Sequence, residues 1–145
     1  MTPKPFTMDT VLKVRKREED LAQQRFMQAM DLQRNAENAL AFAKEKQQAI
    51  ITMLGKKQQE GILATELSRF EDKIEFNYTH IESLRQSVEE KKKITEKKRQ
   101  ALVKKSQEYN VLKTLKEQQN RAWNKYLEKK EAAMLDEIAI LHHNR

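Results

Sequence analysis

The chain has 145 residues, of which 35% are charged and 38% hydrophobic, and its formal net charge is +7 at pH 7. An ordinary globular domain has roughly 45–50% apolar and about 25% charged residues, so this chain has too few apolar residues for a thick core. With two glycines, two prolines and no cysteine, it excludes disulfides, thiolate metal sites and glycine-rich phosphate-binding loops. The composition is that of long helices, since a coiled coil requires only two apolar positions in each seven.

The apolar residues in the first third of the chain recur with a period of seven. They form a ladder of mostly small side chains: Ala22, Ala29, Ala36, Ala43 and Ile50. Small residues along a seam let a partner helix approach closely. A regular period also argues against disorder, which shares the high charge and low hydrophobicity but not the spacing. Helix one is therefore predicted over about residues 8–54.

The predicted start of helix one depends on the residues before it. Pro3 and Pro5 disfavour helix in this segment. Thr7 can act as the N-cap, because its hydroxyl can accept a hydrogen bond from a free backbone N–H. Phe6 and Val11 then occupy the two positions of a hydrophobic staple.

A single interruption is predicted in the middle of the chain. Gly55 and Gly61 are the two glycines, and no apolar residue lies between them. Glycine is common just past a helix end and costs about 1 kcal/mol inside a helix. The bend is therefore predicted over about residues 55–65, with Thr65 as the N-cap of the helix that follows.

A second and longer ladder follows the bend and predicts helix two over about residues 66–142. Its main line comprises Leu67, Ile74, Ile81, Val88, Thr95, Leu102 and Tyr109. Its companion line comprises Phe70, Asn77, Leu84, Lys91, Lys98, Lys105 and Leu112. A period of 3.5 residues sustained over this length is a specific signal for a coiled coil.

The two ladders predict an antiparallel pairing. If the chain reverses near Glu60, residues whose numbers add up to about 120 face each other, and apolar positions coincide over most of the overlap. The facing pairs would include Ile50 with Phe70, Ala36 with Leu84, and Val11 with Tyr109. The predicted fold class is therefore all-α: residues 1–145 form a single domain, an antiparallel two-helix coiled coil.

Helix two is predicted to overhang helix one at the C-terminal end. At 1.5 Å per residue, helix one spans about 80 Å and helix two about 115 Å, so the last thirty or so residues extend past helix one. The overhang carries Trp123, Tyr126, Met134 and Ile138, for which the sequence predicts no internal partner. Such a stripe is predicted to bury itself against another protein.

The chain lacks the residue constellations of a catalytic or metal site. The three histidines are His80, His142 and His143, and the adjacent pair must point to different helix faces. No nucleophile–base set can be nominated, so the sequence predicts no enzymatic activity, no metal and no cofactor. No run approaches the roughly 18 apolar residues of a membrane-spanning helix, which leaves peripheral membrane association open.

The positive charge is concentrated in one part of helix two, where Glu96 is the only acid. The basic residues are Lys91, Lys92, Lys93, Lys97, Lys98, Arg99, Lys104 and Lys105. Three interpretations compete for this basic stretch: a solvated face, an electrostatic docking site for an acidic protein or an anionic lipid surface, and nucleic-acid binding. Nucleic acid ranks last, because the stretch has no aromatic residues for base stacking.

Three stretches, taken with the length of the chain, resemble the flagellar export protein family FliJ. Residues 6–20 resemble the opening of the family, and residues 61–70 resemble its turn into helix two. Residues 112–117, followed by Trp123, Tyr126 and Glu131, resemble its C-terminal signature. The resemblance runs from Phe6 to about Ala139.

The resemblance implies an antiparallel two-helix stalk in the flagellar type III export apparatus. Its expected partners are the hexameric export ATPase of the FliI type, the cytoplasmic domain of the export gate protein of the FlhA type, and export chaperones. The residues implied at the ATPase end are Val11, Val14, Leu112, Leu115, Trp123 and Tyr126, and those implied for the gate are Phe70, Ile74 and Tyr78. The implied location is the cytoplasm, peripherally at the inner face of the bacterial cell membrane.

Two alternatives stay open at this point. The equivalent stalk protein of virulence type III secretion, the YscO type, has the same architecture and a similar composition. A generic structural coiled-coil scaffold, with no ATPase partner, would also carry these ladders.

Overall fold

The structure is a computed structural model, which describes residues 7–144. It contains two helices, α1 over Asp9–Glu60 and α2 over Ala64–His143. Within residues 7–144 there is no strand, and the two helices pack against each other. The predicted all-α class and the helical hairpin are therefore confirmed. The predictions made for Pro3, Pro5 and the staple residue Phe6 lie outside the described residues.

The N-cap of helix α1 lies one residue later than predicted. The N–H of Leu12 donates to the carbonyl of Met8 at 2.9 Å, so Met8 and not Thr7 occupies the capping position. Asp9 then lies in the first turn, where a negative charge interacts favourably with the helix dipole. Its carboxylate also lies 3.4 Å from the Lys13 ammonium.

The predicted end of helix one at residue 54 is wrong, because α1 continues through Gly55 to Glu60. One glycine inside a helix costs only about 1 kcal/mol, which packing can offset. The extra turn of α1 makes such a contact, since the Lys57 ammonium lies 5.4 Å from the centre of the Phe70 ring.

The chain reverses over residues 61–63, a much shorter bend than the predicted 55–65. Gly61 has a φ of 97°, a left-handed conformation that side chains with a Cβ rarely adopt. The N–H of Leu67 donates to the carbonyl of Leu63 at 3.0 Å. Thr65 therefore lies inside the first turn of α2 instead of capping it, and the helix break is set by Gly61.

The described residues form two compact units. The bend-side unit comprises residues 23–101, and the terminal unit comprises residues up to 22 together with those from 102 onward. In the bend-side unit, the contacts across the two helices join Gln47 to Ile74, Ala29 to Thr95, and Lys57 to Phe70. Residues near the C-terminal end of α1 contact residues near the N-terminal end of α2, so the two helices are antiparallel.

The register of the pairing differs from the prediction by about one helical turn. Contacting pairs have residue numbers that add up to between 121 and 127 in the bend-side unit, against the predicted value of about 120. In the terminal unit, Lys16 and not Val11 lies against the Tyr109 ring, 5.1 Å from its centre. The physical reason is the position of the bend, since a reversal centred on residue 62 moves each facing residue along α2.

The seam between the helices follows both predicted ladders. Ala22, Ala29 and Ala43 are buried on α1, and Ile81 and Val88 are buried on α2. The small alanine side chains allow backbone contact across the seam of the bend-side unit. There the Thr95 hydroxyl lies 3.2 Å from the carbonyl oxygen of Ala29 and 2.9 Å from that of Lys91.

A polar layer interrupts the apolar seam of the bend-side unit. Gln47 and Asn77 are both buried, and Gln47 donates from Nε2 to the Ile74 carbonyl at 2.9 Å. Within residues 7–144, Gln47 Oε1 and Asn77 Nδ2 have no hydrogen-bond partner. A buried polar side chain in a coiled-coil seam lowers stability and favours one register.

The two glycines give a prediction with opposite signs. Gly55→Ala should raise the free energy of unfolding by about 1 kcal/mol, because Gly55 is helical and an added Cβ would meet no atom within 4 Å. Gly61→Ala should lower it by about 1–2 kcal/mol, because an L side chain is strained at φ 97°. Urea unfolding of both variants measures this. Two changes of the same sign would contradict the assigned helix end.

Candidate protein-binding surfaces

Charged side chains join α1 to α2 in the terminal unit. Lys116 Nζ lies 3.0 Å from a carboxylate oxygen of Asp9, and Lys105 Nζ lies 3.3 Å from one of Glu18. Arg15 reaches Glu108 at 3.3 Å. These side chains are partly exposed, so each pair contributes little stability, and the pairs show which residues of α1 and α2 face each other in this unit.

The same ion pairs shift the pKa values of two carboxyl groups. The pKa of Asp9 is lowered from its ordinary value of 3.8, chiefly by its hydrogen bond with Lys116. The pKa of Glu18 is lowered from 4.5, chiefly by its hydrogen bond with Lys105. Both shifts favour the charged carboxylate in the folded protein.

The six residues implied at the ATPase end all lie in the terminal unit. Four of them are exposed large side chains: Val11, Val14, Leu115 and Tyr126. The other two, Leu112 and Trp123, are half-buried. The exposed members give this end of the hairpin an apolar surface that a partner can bury.

Helix α2 continues well past the start of α1. Asp9, the first residue of α1, contacts Lys116, and α2 runs on from Lys116 to His143. Every described residue after Leu127 is exposed. The predicted overhang is therefore present. Its exposed apolar side chains are Met134, Leu135, Ile138, Ile140 and Leu141.

Trp123 corrects one part of the overhang prediction. The sequence predicted no internal partner for it, but Trp123 is half-buried and its ring stacks on that of Tyr126, with 5.5 Å between the ring centres. Residues three apart on a helix lie on the same side, which is why these two rings meet. Tyr126 remains 53% exposed.

The three residues implied for the gate lie in the bend-side unit, and one of them is exposed. Phe70 and Ile74 are half-buried at the seam, where the Ile74 carbonyl accepts from Gln47. Tyr78 is exposed. Phe70 and Ile74 thus pack between the helices, and Tyr78 presents its ring to solvent.

An exposed aromatic groove in the bend-side unit was not predicted from the sequence. Phe42 and Phe76 are each 69% exposed, and the His80 ring stacks on that of Phe76 with 6.5 Å between the ring centres. The groove has a volume of about 300 Å³ and is lined by Ala39, Phe42, Ala43, Lys46, Phe76, Asn77, His80 and Leu84. Both phenylalanines sit one residue before a ladder position. A large aromatic side chain directly before a ladder position is the feature of the sequence that could have indicated this groove.

The basic stretch divides into paired and unpaired residues. In the bend-side unit, Arg99 forms an ion pair with Glu96 at 2.6 Å, and Lys92 pairs with Glu89 at 3.7 Å. Lys91 and Lys98 are half-buried along the seam, and Lys93 and Lys97 are exposed. In the terminal unit, Lys104 is exposed and the half-buried Lys105 pairs with Glu18 and Glu108. Lys105, on the companion line, therefore extends its stem toward α1, as long basic side chains commonly do.

Residues 7–144 contain neither a cluster of metal-binding side chains nor a helix that could cross a membrane. No group of three or more His, Cys, Asp or Glu side chains in this range is placed to hold a metal ion. Neither α1 nor α2 contains a window apolar enough to cross a membrane.

Comparison with known proteins gives one family match. A family model described as the flagellar FliJ protein matches residues 4–145. The match includes both helices, the bend, and the three stretches that carry the resemblance in the sequence. No curated protein and no solved structure matches the chain significantly.

The ion pair of Asp9 predicts a pH dependence. Because its pKa is lowered, the carboxylate stabilises the fold above the ordinary value of 3.8, and this stabilisation is lost as the pH falls through the lowered pKa. Asp9→Asn should therefore lower the thermal midpoint at pH 7 and have no effect once the pH is well below 3.8. Thermal unfolding followed by circular dichroism from pH 7 to strongly acidic pH measures the difference.

Asp136→Asn is the matched control, because Asp136 is exposed and forms no ion pair within the described residues. It should leave the midpoint unchanged at pH 7. An Asp9→Asn effect of the same size at every pH would contradict the assignment to the charged carboxylate.

Proposed function

Because the chain belongs to the flagellar FliJ family, whose members are stalk-type proteins of flagellar and type III export, we propose that it binds and activates the export ATPase. The ATPase is the hexameric FliI type, and the terminal unit is the part that engages it. The family consists of structural and escort proteins, so the hydrolysis belongs to the ATPase and this chain acts by binding.

The observation that supports this proposal is the exposed apolar surface of the terminal unit. Val11 and Val14 on α1, and Leu115 and Tyr126 on α2, are large apolar side chains left exposed at this end. Monomeric proteins rarely expose contiguous apolar surface without a partner that covers it. Leu112 and Trp123 are half-buried at the same end, and the Trp123 ring stacks on that of Tyr126.

We assign the gate contact to the bend-side unit. Its exposed aromatic side chains are Phe42, Phe76 and Tyr78, and such residues dominate the binding energy of protein interfaces. Phe70 and Ile74 contribute by holding the seam on which Tyr78 is carried. The partner is the cytoplasmic domain of the FlhA-type gate protein, and export chaperones are further partners.

The proposed location follows from these partners. An ATPase of the export apparatus and the cytoplasmic domain of a gate protein are both reached from the cytoplasm. The protein therefore works in the cytoplasm, held peripherally at the inner face of the cell membrane by its protein partners. Flagellar export takes precedence over virulence secretion because the matching family is the flagellar one.

Substitutions of two exposed aromatic residues, one in each unit, distinguish the two proposed interfaces. Tyr126→Ala should reduce the stimulation of the cognate export ATPase about tenfold or more, because truncating an aromatic anchor typically costs about 2 kcal/mol of binding. Phe42→Ala should leave the stimulation unchanged and weaken binding to the gate domain. ATP hydrolysis at fixed salt and binding to the isolated gate domain measure the two effects.

Both side chains are more than half exposed, so neither change should reduce the helix content. Circular dichroism of each variant checks this. Equal loss of stimulation in the two variants would contradict the assignment of the ATPase contact to the terminal unit.

A further inference from the structure

The seam face of α2 continues beyond the point where α1 begins. Leu112, Lys116, Trp123 and Leu127 are half-buried at spacings of four or seven residues. Met134, Ile138 and Leu141 continue the same spacing along the same face, and all three are exposed. This continuation, which we call the terminal stripe, comprises Leu127, Met134, Ile138 and Leu141. Its geometry is that of a coiled-coil seam without its second helix.

The charges beside the terminal stripe of one copy are complementary to those beside the terminal stripe of a second, antiparallel copy. Lys130 lies three residues after Leu127, and Glu137 lies three residues after Met134, so both flank the stripe on the same edge. Neither forms an ion pair within the described part of the chain. If Leu127 packs against Ile138 of a second copy in an antiparallel pair, Lys130 comes beside Glu137 of that copy. Two-fold symmetry forms the pair twice.

The antiparallel pairing also leaves the described start of helix α1 clear of the second copy's α2. With Leu127 opposite Ile138 of the second copy, the end of that α2 at His143 lies level with residue 122. Helix α1 begins at the level of Lys116, where Asp9 makes its ion pair. The two helix ends are therefore separated along α2 by about six residues, or about 9 Å.

We propose that two copies of this chain associate through their terminal stripes as an antiparallel pair, stabilised by reciprocal Lys130–Glu137 ion pairs. The second copy takes the place along α2 that α1 occupies nearer the bend. Two layers related by the symmetry set Glu131 of one copy against Met134 of the other, so the pairing is weak and reversible. It rests on residues other than those that carry the proposed function, and the pair must separate before the stripe can bind another protein.

The test is a charge exchange in the purified full chain, followed by sedimentation equilibrium at low salt over a range of concentrations. Lys130→Glu and Glu137→Lys should each raise the dissociation constant of the dimer about tenfold or more, because each replaces two attractions by two repulsions. The double variant should restore it to near the original value. Only an antiparallel pair is expected to show this restored affinity in the double variant. The two residues lie seven positions apart and do not touch each other within one helix.

The matched controls are Lys129→Glu and Asp136→Lys, which make the same charge changes on the opposite face of α2. They should leave the dissociation constant unchanged. A chain that is monomeric at every concentration, controls that weaken the dimer equally, or a double variant without rescue would each overturn the proposal. Because no ATPase is present, none of these outcomes bears on the proposed function.

Discussion

The packing of α1 against α2 through a narrow seam of small and apolar side chains is the constraint on which the rest of the structure depends. The buried apolar residues are Ala22, Ala29, Ala43, Ile81 and Val88, and none of them is completely buried. A chain with 38% hydrophobic residues can form such a seam, and it leaves many large apolar side chains exposed. The side chains that the seam leaves uncovered are therefore available for recognition of other surfaces.

The position of the bend determines which side chains those are. Gly61 ends α1 and sets the register of the bend-side unit, and in the terminal unit the first residue of α1 contacts Lys116. Helix α2 has 80 residues and α1 has 52, so part of α2 must extend beyond its partner. Both exposed apolar features follow from this seam. The apolar stripe lies on the extension, where the seam lacks a second helix, and the aromatic groove lies beside the seam in the bend-side unit.

The sequence predicted the features that repeat and missed those that depend on a single angle or position. The Ala22–Ala43 ladder and the line from Leu67 to Tyr109 are local periodic patterns, so the two helices and the overhang could be read from spacing alone. The register could not be read in this way, because it depends on where the chain reverses. Either Gly55 or Gly61 could end helix one, and the composition does not distinguish them. Phe42 and Phe76 were overlooked since their exposure depends on which edge of the seam they occupy. Asn77 was placed on the companion line of the seam, whereas the burial of Gln47 on α1 was not predicted.

If this chain is, as we propose, a stalk that binds the ring of the export ATPase, one copy serves all subunits of the ring, and it must act at a low ratio of stalk to ATPase. The decisive measurement is ATP hydrolysis by the cognate hexameric ATPase, titrated with the purified chain at fixed salt and fixed ATPase concentration. We expect stimulation that saturates well below one copy per ATPase subunit, near one copy per ring. No stimulation at any ratio by a fully helical sample, or saturation at one copy per subunit, would contradict the proposed role as a shared stalk.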